Sequence, residues 1–277
     1  MGITIRKYDM IINRNKLKKI TPKYLLFFYR LIRQNYNKIK YGGNNFYCNI
    51  CNSRLSSWKH YGPQANLNLI CPVCNSFGRH RMMGMILEKN LECDQSNHQK
   101  QLLHFAPELG LQIFLKKKFP QVLYRSSDFD SNDSDLRLDL MQIDLPSNSV
   151  DYVILSHVLE HIDKDELALT ELMRILRPEG KLFLQVPLGK NKKTLDEKFF
   201  SAEDRLLHYG QKDHVRLYAK EDLHSNLVKT GFLTSSHIAL NDDYVSIFHK
   251  MALDLPNESK MIYSAESTVF VCQKPGK

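Results

Sequence analysis

Four of the six cysteines of this 277-residue chain fall in two identical spacings, Cys48-Asn49-Ile50-Cys51 and Cys71-Pro72-Val73-Cys74, with 19 residues between the pairs. Two Cys-x-x-Cys knuckles at that separation are the pattern of a four-cysteine zinc ribbon: each offers two sulfurs from one side, and Zn²⁺ takes four thiolates tetrahedrally. A closed site of four sulfurs leaves no open position for water, so the role expected of Cys48, Cys51, Cys71 and Cys74 is structural. Two disulfides are the competing reading, disfavoured in a reducing compartment. A redox role would require both motifs to be redox motifs independently. Cys93 and Cys272 have no such pattern and read as core thiols.

A second set of reactive side chains lies downstream: Glu108, Asp128, Asp130, Asp139, His157, His161, His208 and His214. His157 and His161 are four apart with Glu160 between them, but a zincin pair has its Glu directly after the first His. That spacing is therefore not read as a metal site.

The elements that must position these groups alternate. Leu102–Phe105 reads as a short apolar strand, followed by a Pro-Glu-Leu-Gly turn and a helix over Leu111–Phe119. Val122–Tyr124 and Leu136–Asp139 read as further strands, and Val150–Leu155 as a continuous buried one. Asp163 and Glu166 have the spacing of a capping box for a helix whose apolar face holds Leu167, Leu169, Leu172, Met173, Ile175 and Leu176, stopped by Pro178 and Gly180. Lys181–Val186 is the next strand, Lys220–Lys229 a later helix, and Tyr244–Phe248 with Ser267–Cys272 suit an antiparallel pair at the sheet edge. This alternation predicts an α/β fold with a doubly wound, mainly parallel sheet. The expected domains are a basic arm over 1–45, the ribbon over 46–81 and the α/β domain over 82–277.

Residues 136–187 carry a family resemblance. Leu138-Asp139-Leu140, Asp144-Leu145-Pro146, Ser149 to Ile154, His157-Val158-Leu159-Glu160-His161 and Glu171 to Gly180 resemble the second half of a class I S-adenosylmethionine-dependent methyltransferase of the type 11 kind. With the ribbon before the first strand and Tyr209 to Tyr218 after the fifth, the chain is similar to a bacterial subgroup with an N-terminal four-cysteine ribbon. The resemblance implies a seven-stranded Rossmann-like methyltransferase sheet and S-adenosylmethionine as cofactor beside the structural zinc. It places the cofactor against Phe105, Ala106, Glu108, Asp128, Asp139, Leu140, Ser156 and His157. Asp128, with Asp130 as competitor, would accept the ribose hydroxyls, and Asp139 or its neighbouring backbone would take the adenine amino group. The usual glycine-rich turn after the first strand is replaced by His104-Phe105-Ala106-Pro107-Glu108-Leu109-Gly110. The ribbon-bearing subgroup shares this turn, so the resemblance implies a variant cofactor loop, with a non-catalytic scaffold as the alternative.

Transfer from a sulfonium is an in-line displacement, and a base is needed only where the nucleophile must lose a proton. His157 and His214, with Arg216 beside the latter, are the catalytic candidates. The competing reading has His214 and Arg216 tying their loop to the sheet. Arg79 and Arg81 flank His80 directly after the ribbon; a guanidinium pair there suits an anionic acceptor, such as a small glycan-like molecule, or packing of ribbon on domain.

The formal charge of +9 resides in one place. Residues 1–40 hold eleven Lys and Arg against the single acid Asp9, and the other 237 residues carry 28 bases and 29 acids. That partition weakens an RNA methyltransferase gripping phosphates along its body. From Pro22 on, Leu25, Phe28, Leu31 and Ile32 fall near helical spacing, predicting an amphipathic basic helix ended by Gly42-Gly43. It could lie on anionic lipid, track a nucleic acid, or pack on its own protein through Leu25, Phe28 and Leu31. No apolar run approaches the roughly 20 residues of a membrane span, and no secretory or myristoylation pattern opens the chain. The expected location is cytoplasmic, with the arm as a peripheral contact at the inner membrane surface.

Overall fold

The computed structural model describes residues 23–60, 69–92, 98–129, 133–189, 191–196, 201–237 and 268–276. In chain order the elements are α1 (Lys23–Lys40), β1 (Gly42–Cys48), β2 (Ser53–Leu55), β3 (Lys59–His60), β4 (Leu69–Ile70), α2 (Gly78–Glu92), β5 (Gln101–Phe105), α3 (Leu109–Lys118), β6 (Leu123–Ser127) and β7 (Val150–Ser156). A 3₁₀ turn (Leu159–His161) follows, then α4 (Asp165–Ile175), β8 (Leu176–Gln185), α5 (Ala202–Tyr209), α6 (Lys220–Thr230), β9 (Leu233–His237) and β10 (Val269–Gln273).

Six strands form the main sheet in the order β6-β5-β7-β8-β10-β9. β6, β5, β7 and β8 are mutually parallel, and β10 is antiparallel to both its neighbours. Every residue of β7 is buried, as its unbroken apolar run requires of a central strand covered on both faces. The chain leaves β5 to one side for β6 and returns to the other side for β7. The topological switch point therefore lies between the carboxyl ends of β5 and β7, where open α/β sheets bind ligands.

One face of the sheet packs on α4 and α6 through Leu103, Val153, Leu169, Leu172 and Leu227. The other shares a core with the cysteine-bearing segment, where Ile50, Leu55, Trp58 and Val73 join Met83 and Leu87 of α2, Phe114 of α3 and Leu102 of β5. The expected boundary at 81/82 falls inside α2. Arg81, fully buried, stacks 4.1 Å over the Trp58 ring and donates to the Ser76 carbonyl at 2.8 Å. It fastens ribbon to domain and is withdrawn from any acceptor.

Several expectations are corrected. The expected third strand, Leu136–Asp139, is reduced to a single parallel bridge between Ser127 and Leu136. The Asp139 carboxylate accepts the Met141 N–H at 2.8 Å and turns the chain before a second pair forms. The seventh strand of the expected sheet is thus not formed among the described residues. β10 finds its outer partner in Leu233–His237, and Tyr244–Phe248 lies outside the described residues, as do Cys93 and Asp130. Asp163 does not cap α4, which begins at Asp165 without a side-chain cap. Leu167 is exposed rather than on the buried face of that helix.

Asp151 anchors the amino end of β7. Its carboxylate accepts the Gln101 N–H at 2.8 Å, lies 2.8 Å from His98 Nε2 and 3.3 Å from Lys100 Nζ, and pairs with Arg177. Burial alone would raise its pKa, but these donors and cations outweigh burial and hold it below the ordinary carboxylate value. A depressed carboxyl pKa stabilises the fold above the unfolded value of about 4 and loses that contribution as pH falls through the folded value. Asp151→Ala should lower unfolding free energy by about 1–3 kcal/mol at neutral pH. Urea titrations of both proteins should show the difference shrinking on acidification below about pH 4.

Candidate functional site

The two strands flanking the switch point end alike. Ala106, after β5, has φ 44°, and His157, after β7, has φ 54°, so both non-glycine residues adopt left-handed backbone. Each is held there by a cross-strand bond, Ala106 N–H to the Ser127 carbonyl at 2.7 Å and His157 N–H to the Gln185 carbonyl at 2.8 Å. Left-handed backbone costs an L-residue about 1–2 kcal/mol, and such strain gathers at functional turns.

Between these ends sits Glu108, the residue that precedes α3. Its Oε1 accepts from Ser156 Oγ at 3.2 Å and lies 3.1 Å from His80 Nε2, while Oε2 lies 3.5 Å from His104 Nε2. Burial works against its charge, yet the two imidazoles, His104 first, hold the carboxyl well below its ordinary value. The Phe77 N–H donates to His80 Nδ1 at 3.2 Å, so the proton of neutral His80 sits on Nε2, facing Glu108. Burial pushes the His80 pKa down, consistent with a neutral ring. Sequence reasoning missed His80 and His104 as partners of Glu108; the available signal was a histidine inside an otherwise apolar strand.

The other expected cofactor residues divide. Ser156 and His157 lie at the switch point with Ala106 and Glu108. Phe105 and Leu140 are buried in the cores, so only their backbone faces outward. Asp128 follows β6, with its N–H on the Leu136 carbonyl at 3.3 Å. The acid that pins β6 is one the sequence did not single out: Asp135 accepts from Ser126 N–H at 2.8 Å and Ser126 Oγ at 2.7 Å. Asp139 supports its own turn, as above.

His214 is buried, with Nδ1 3.1 Å from the Tyr209 carbonyl and Nε2 3.9 Å from Glu160 Oε1. His157 Nδ1 approaches the same oxygen at 3.3 Å. The fold thus brings together two of the three catalytic candidates. The third, Arg216, donates to the carbonyls of Ile162 and Asp163 and lies 3.5 Å from Asp165 Oδ2. Its guanidinium fork is directed at framework carbonyls rather than at an acceptor.

The four cysteines of the paired motifs converge. Their sulfurs all lie within 4.8 Å of one another, with Cys48 to Cys74 at 3.7 Å and Cys51 to Cys71 at 3.6 Å. Sulfurs bound tetrahedrally to Zn²⁺ at about 2.3 Å are separated by roughly 3.8 Å, so the set fits that ion. Ser76 Oγ, 3.3 Å from Cys48 Sγ and 3.1 Å from Cys74 Sγ, gives the sulfurs a hydroxyl neighbour. A cleft of about 750 Å³ runs from α1 past this cluster to Glu108, and Arg30, Arg33, Lys38, Lys117 and Lys118 line it.

With this geometry in hand, comparison with known proteins is decisive for the architecture. Residues 104–184 match the family model described as a methyltransferase domain. The chain is similar in structure to the CurJ carbon methyltransferase, with 16% identity, 71% of this chain and 55% of that one covered, and a TM-score of 0.50. It spans about half of that chain's length. The YcgJ protein of Bacillus subtilis (13% identity, 72% and 100% covered, TM-score 0.46) and a Burkholderia thailandensis 1,6-didemethyltoxoflavin-N1-methyltransferase solved with S-adenosylhomocysteine (13%, 71% and 78%, 0.47) are also similar. Comparison with curated protein sequences gives no match. At 16% identity the likeness to the CurJ carbon methyltransferase, with the matching domain model, shows the Rossmann-like methyltransferase fold and no more.

The Ala106 turn gives a direct test of the strain. Ala106→Gly removes the left-handed penalty while adding the backbone entropy of glycine, and should stabilise the protein by about 0.5–1 kcal/mol in urea unfolding. A loss of stability would show that the turn is not left-handed in solution.

Proposed function

We propose that this chain is an S-adenosylmethionine-dependent methyltransferase with a structural zinc in the Cys48, Cys51, Cys71 and Cys74 site, acting on a small anionic or glycan-like acceptor. The observation that carries the reading is the pair of left-handed strand ends, Ala106 and His157, at the switch point of a sheet whose residues 104–184 match a methyltransferase domain. S-adenosylmethionine, when bound, supplies the methyl group on a sulfonium. In this reading Asp128, at the end of β6, would accept the ribose hydroxyls, and the backbone of Asp139 and Leu140 would meet the adenine edge. Glu108, fixed by its imidazoles and Ser156, holds the first turn in place. His157 takes a proton where the acceptor must lose one; His214, buried and bound to the Tyr209 carbonyl, is left a supporting role. In the cleft that ends at Glu108, Lys118 pairs with Glu88, and the remaining cations Arg30, Arg33, Lys38 and Lys117 support an anionic acceptor.

Calorimetric titration with S-adenosylhomocysteine, on a sample of assayed zinc content, tests this. One site per chain with micromolar affinity, on the order of −8 kcal/mol, is expected. No binding by a folded, zinc-loaded chain would leave the scaffold reading in its place.

Helix α1 supports a proposal for where this chain works. Leu25, Tyr29, Ile32, Tyr36 and Ile39 recur at spacings of four and three and are 48%, 65%, 69%, 59% and 85% exposed. The opposite side of the helix meets the body, where buried Asn37 donates to the Pro72 carbonyl at 2.7 Å. Of the alternatives left open by the sequence, packing inward through Leu25, Phe28 and Leu31 does not fit, since all three are exposed. We infer that this outward apolar stripe lies in the interface of an anionic membrane. Five bases and no acid on the helix complement such a surface, whereas two like-charged copies would have no acidic flank to pair across a seam. The full chain should sediment with phosphatidylglycerol vesicles, and Ile32→Glu should weaken that binding about tenfold or more. Equal binding to phosphatidylcholine vesicles, or none to either, would overturn the placement.

A further inference from the structure

Glu160 lies in the 3₁₀ turn after β7 and is 1% exposed, yet neither of its carboxylate oxygens accepts a hydrogen bond. A buried carboxylate in that condition requires a counter-charge. The groups around it are imidazoles. One ligand atom each from Glu160, His161 and His214 lie within 4.8 Å of one another. His157 adds a further nitrogen, Nδ1, 3.3 Å from Glu160 Oε1, and its own Nε2 is buried without a partner.

The hydrogen bonds of the two other rings decide what this cluster can do. His214 Nδ1 faces the Tyr209 carbonyl at 3.1 Å, so in the neutral ring that nitrogen carries the proton and Nε2 is left with its lone pair. That nitrogen lies 3.9 Å from a carboxylate oxygen, so two acceptors are neighbours across a gap too wide for a hydrogen bond. A cation bonded to each at about 2.0–2.2 Å bridges such a gap. His161 also has a carbonyl partner, Asp213, 3.1 Å from its Nδ1. A metal-binding histidine whose other nitrogen donates to a backbone carbonyl is the usual outer support of a metal site, because it fixes both tautomer and ring orientation.

We propose that Glu160, His161 and His214 bind a divalent transition-metal ion, a second metal centre separate from the four cysteines. Two imidazoles and one carboxylate suit zinc or a neighbouring first-row divalent ion and leave coordination positions open. The spacing of His157 and His161 is not the source of this site. The second imidazole comes from His214, far along the chain, and is delivered by the loop before Arg216, which ties that loop to Ile162 and Asp163. His157 follows Ser156, the donor to Glu108, so the centre adjoins the switch point. A role in polarising an acceptor oxygen there rests on the transfer reading above; the metal binding does not.

The test is Co²⁺ titration of the full-length, zinc-loaded chain, with zinc retention and S-adenosylhomocysteine binding followed on the same samples. One saturable equivalent of Co²⁺ beyond the retained zinc is expected. His214→Ala should weaken it more than about tenfold, as should His161→Ala at a less buried position that preserves the fold. Failure of the zinc-loaded protein to take up Co²⁺, or uptake unchanged in both variants, overturns the site. Because cofactor-analogue binding is read separately, its presence or absence reports on the methyltransferase reading and not on the metal.

Discussion

The carboxylate of Glu108 is the contact on which the rest of the site depends. It touches three elements from three parts of the chain: His80 in the helix after the cysteine pairs, His104 in the first parallel strand, and Ser156 at the end of the central strand. A buried charge is stable only when its partners are in place, so this contact requires α2, β5 and β7 to be docked together before it forms. The first turn of the methyltransferase fold is usually shaped by glycines. Here a charged knot and a left-handed Ala106 do that work, and the knot reaches back to the ribbon. Ribbon and sheet are therefore parts of one core, as the packing of Trp58 and Ile50 with Phe114 and Leu102 also shows.

Glu160 stands at the end of the adjacent strand as a second buried carboxylate in an imidazole setting. The difference between the two is instructive. Glu108 accepts a hydrogen bond from Ser156 and has two imidazoles that lower its pKa, whereas the oxygens of Glu160 accept no hydrogen bond and face His157 Nδ1 and the Nε2 of His214, a ring whose other nitrogen is engaged at Tyr209. Equal residue types at equivalent strand ends thus reach different chemistry through the tautomers their neighbours impose. The Arg216 loop is what carries His214 to Glu160, which gives that arginine a positioning function.

Helix α1 shows how tertiary structure separates readings that the sequence left open. Its amphipathicity is plain in the residues, and the default for an apolar stripe is burial against the body. Asn37 and its bond to the Pro72 carbonyl turn the polar side inward instead, and the apolar side faces out beside a basic cleft.

The sequence by itself determined the strands whose apolar runs are unbroken, above all Val150–Ser156, the helices punctuated by Gly231 and by charged first turns, and the four-cysteine cluster, since short-range spacing and periodicity are local properties. Its third strand failed because the Asp139 carboxylate takes a local partner, the Met141 N–H, and its Asp163 cap failed because the helix begins two residues later, at Asp165, with Lys164 in the capping position; no spacing rule ranks such alternatives. Only the tertiary structure decided that His80 and His104 share Glu108, that His214 and His161 converge on Glu160, and that α1 shows its apolar face to solvent. Each of those depends on which distant side chains the sheet order brings within about 4 Å, where hydrogen bonding and charge, not residue type, assign the role.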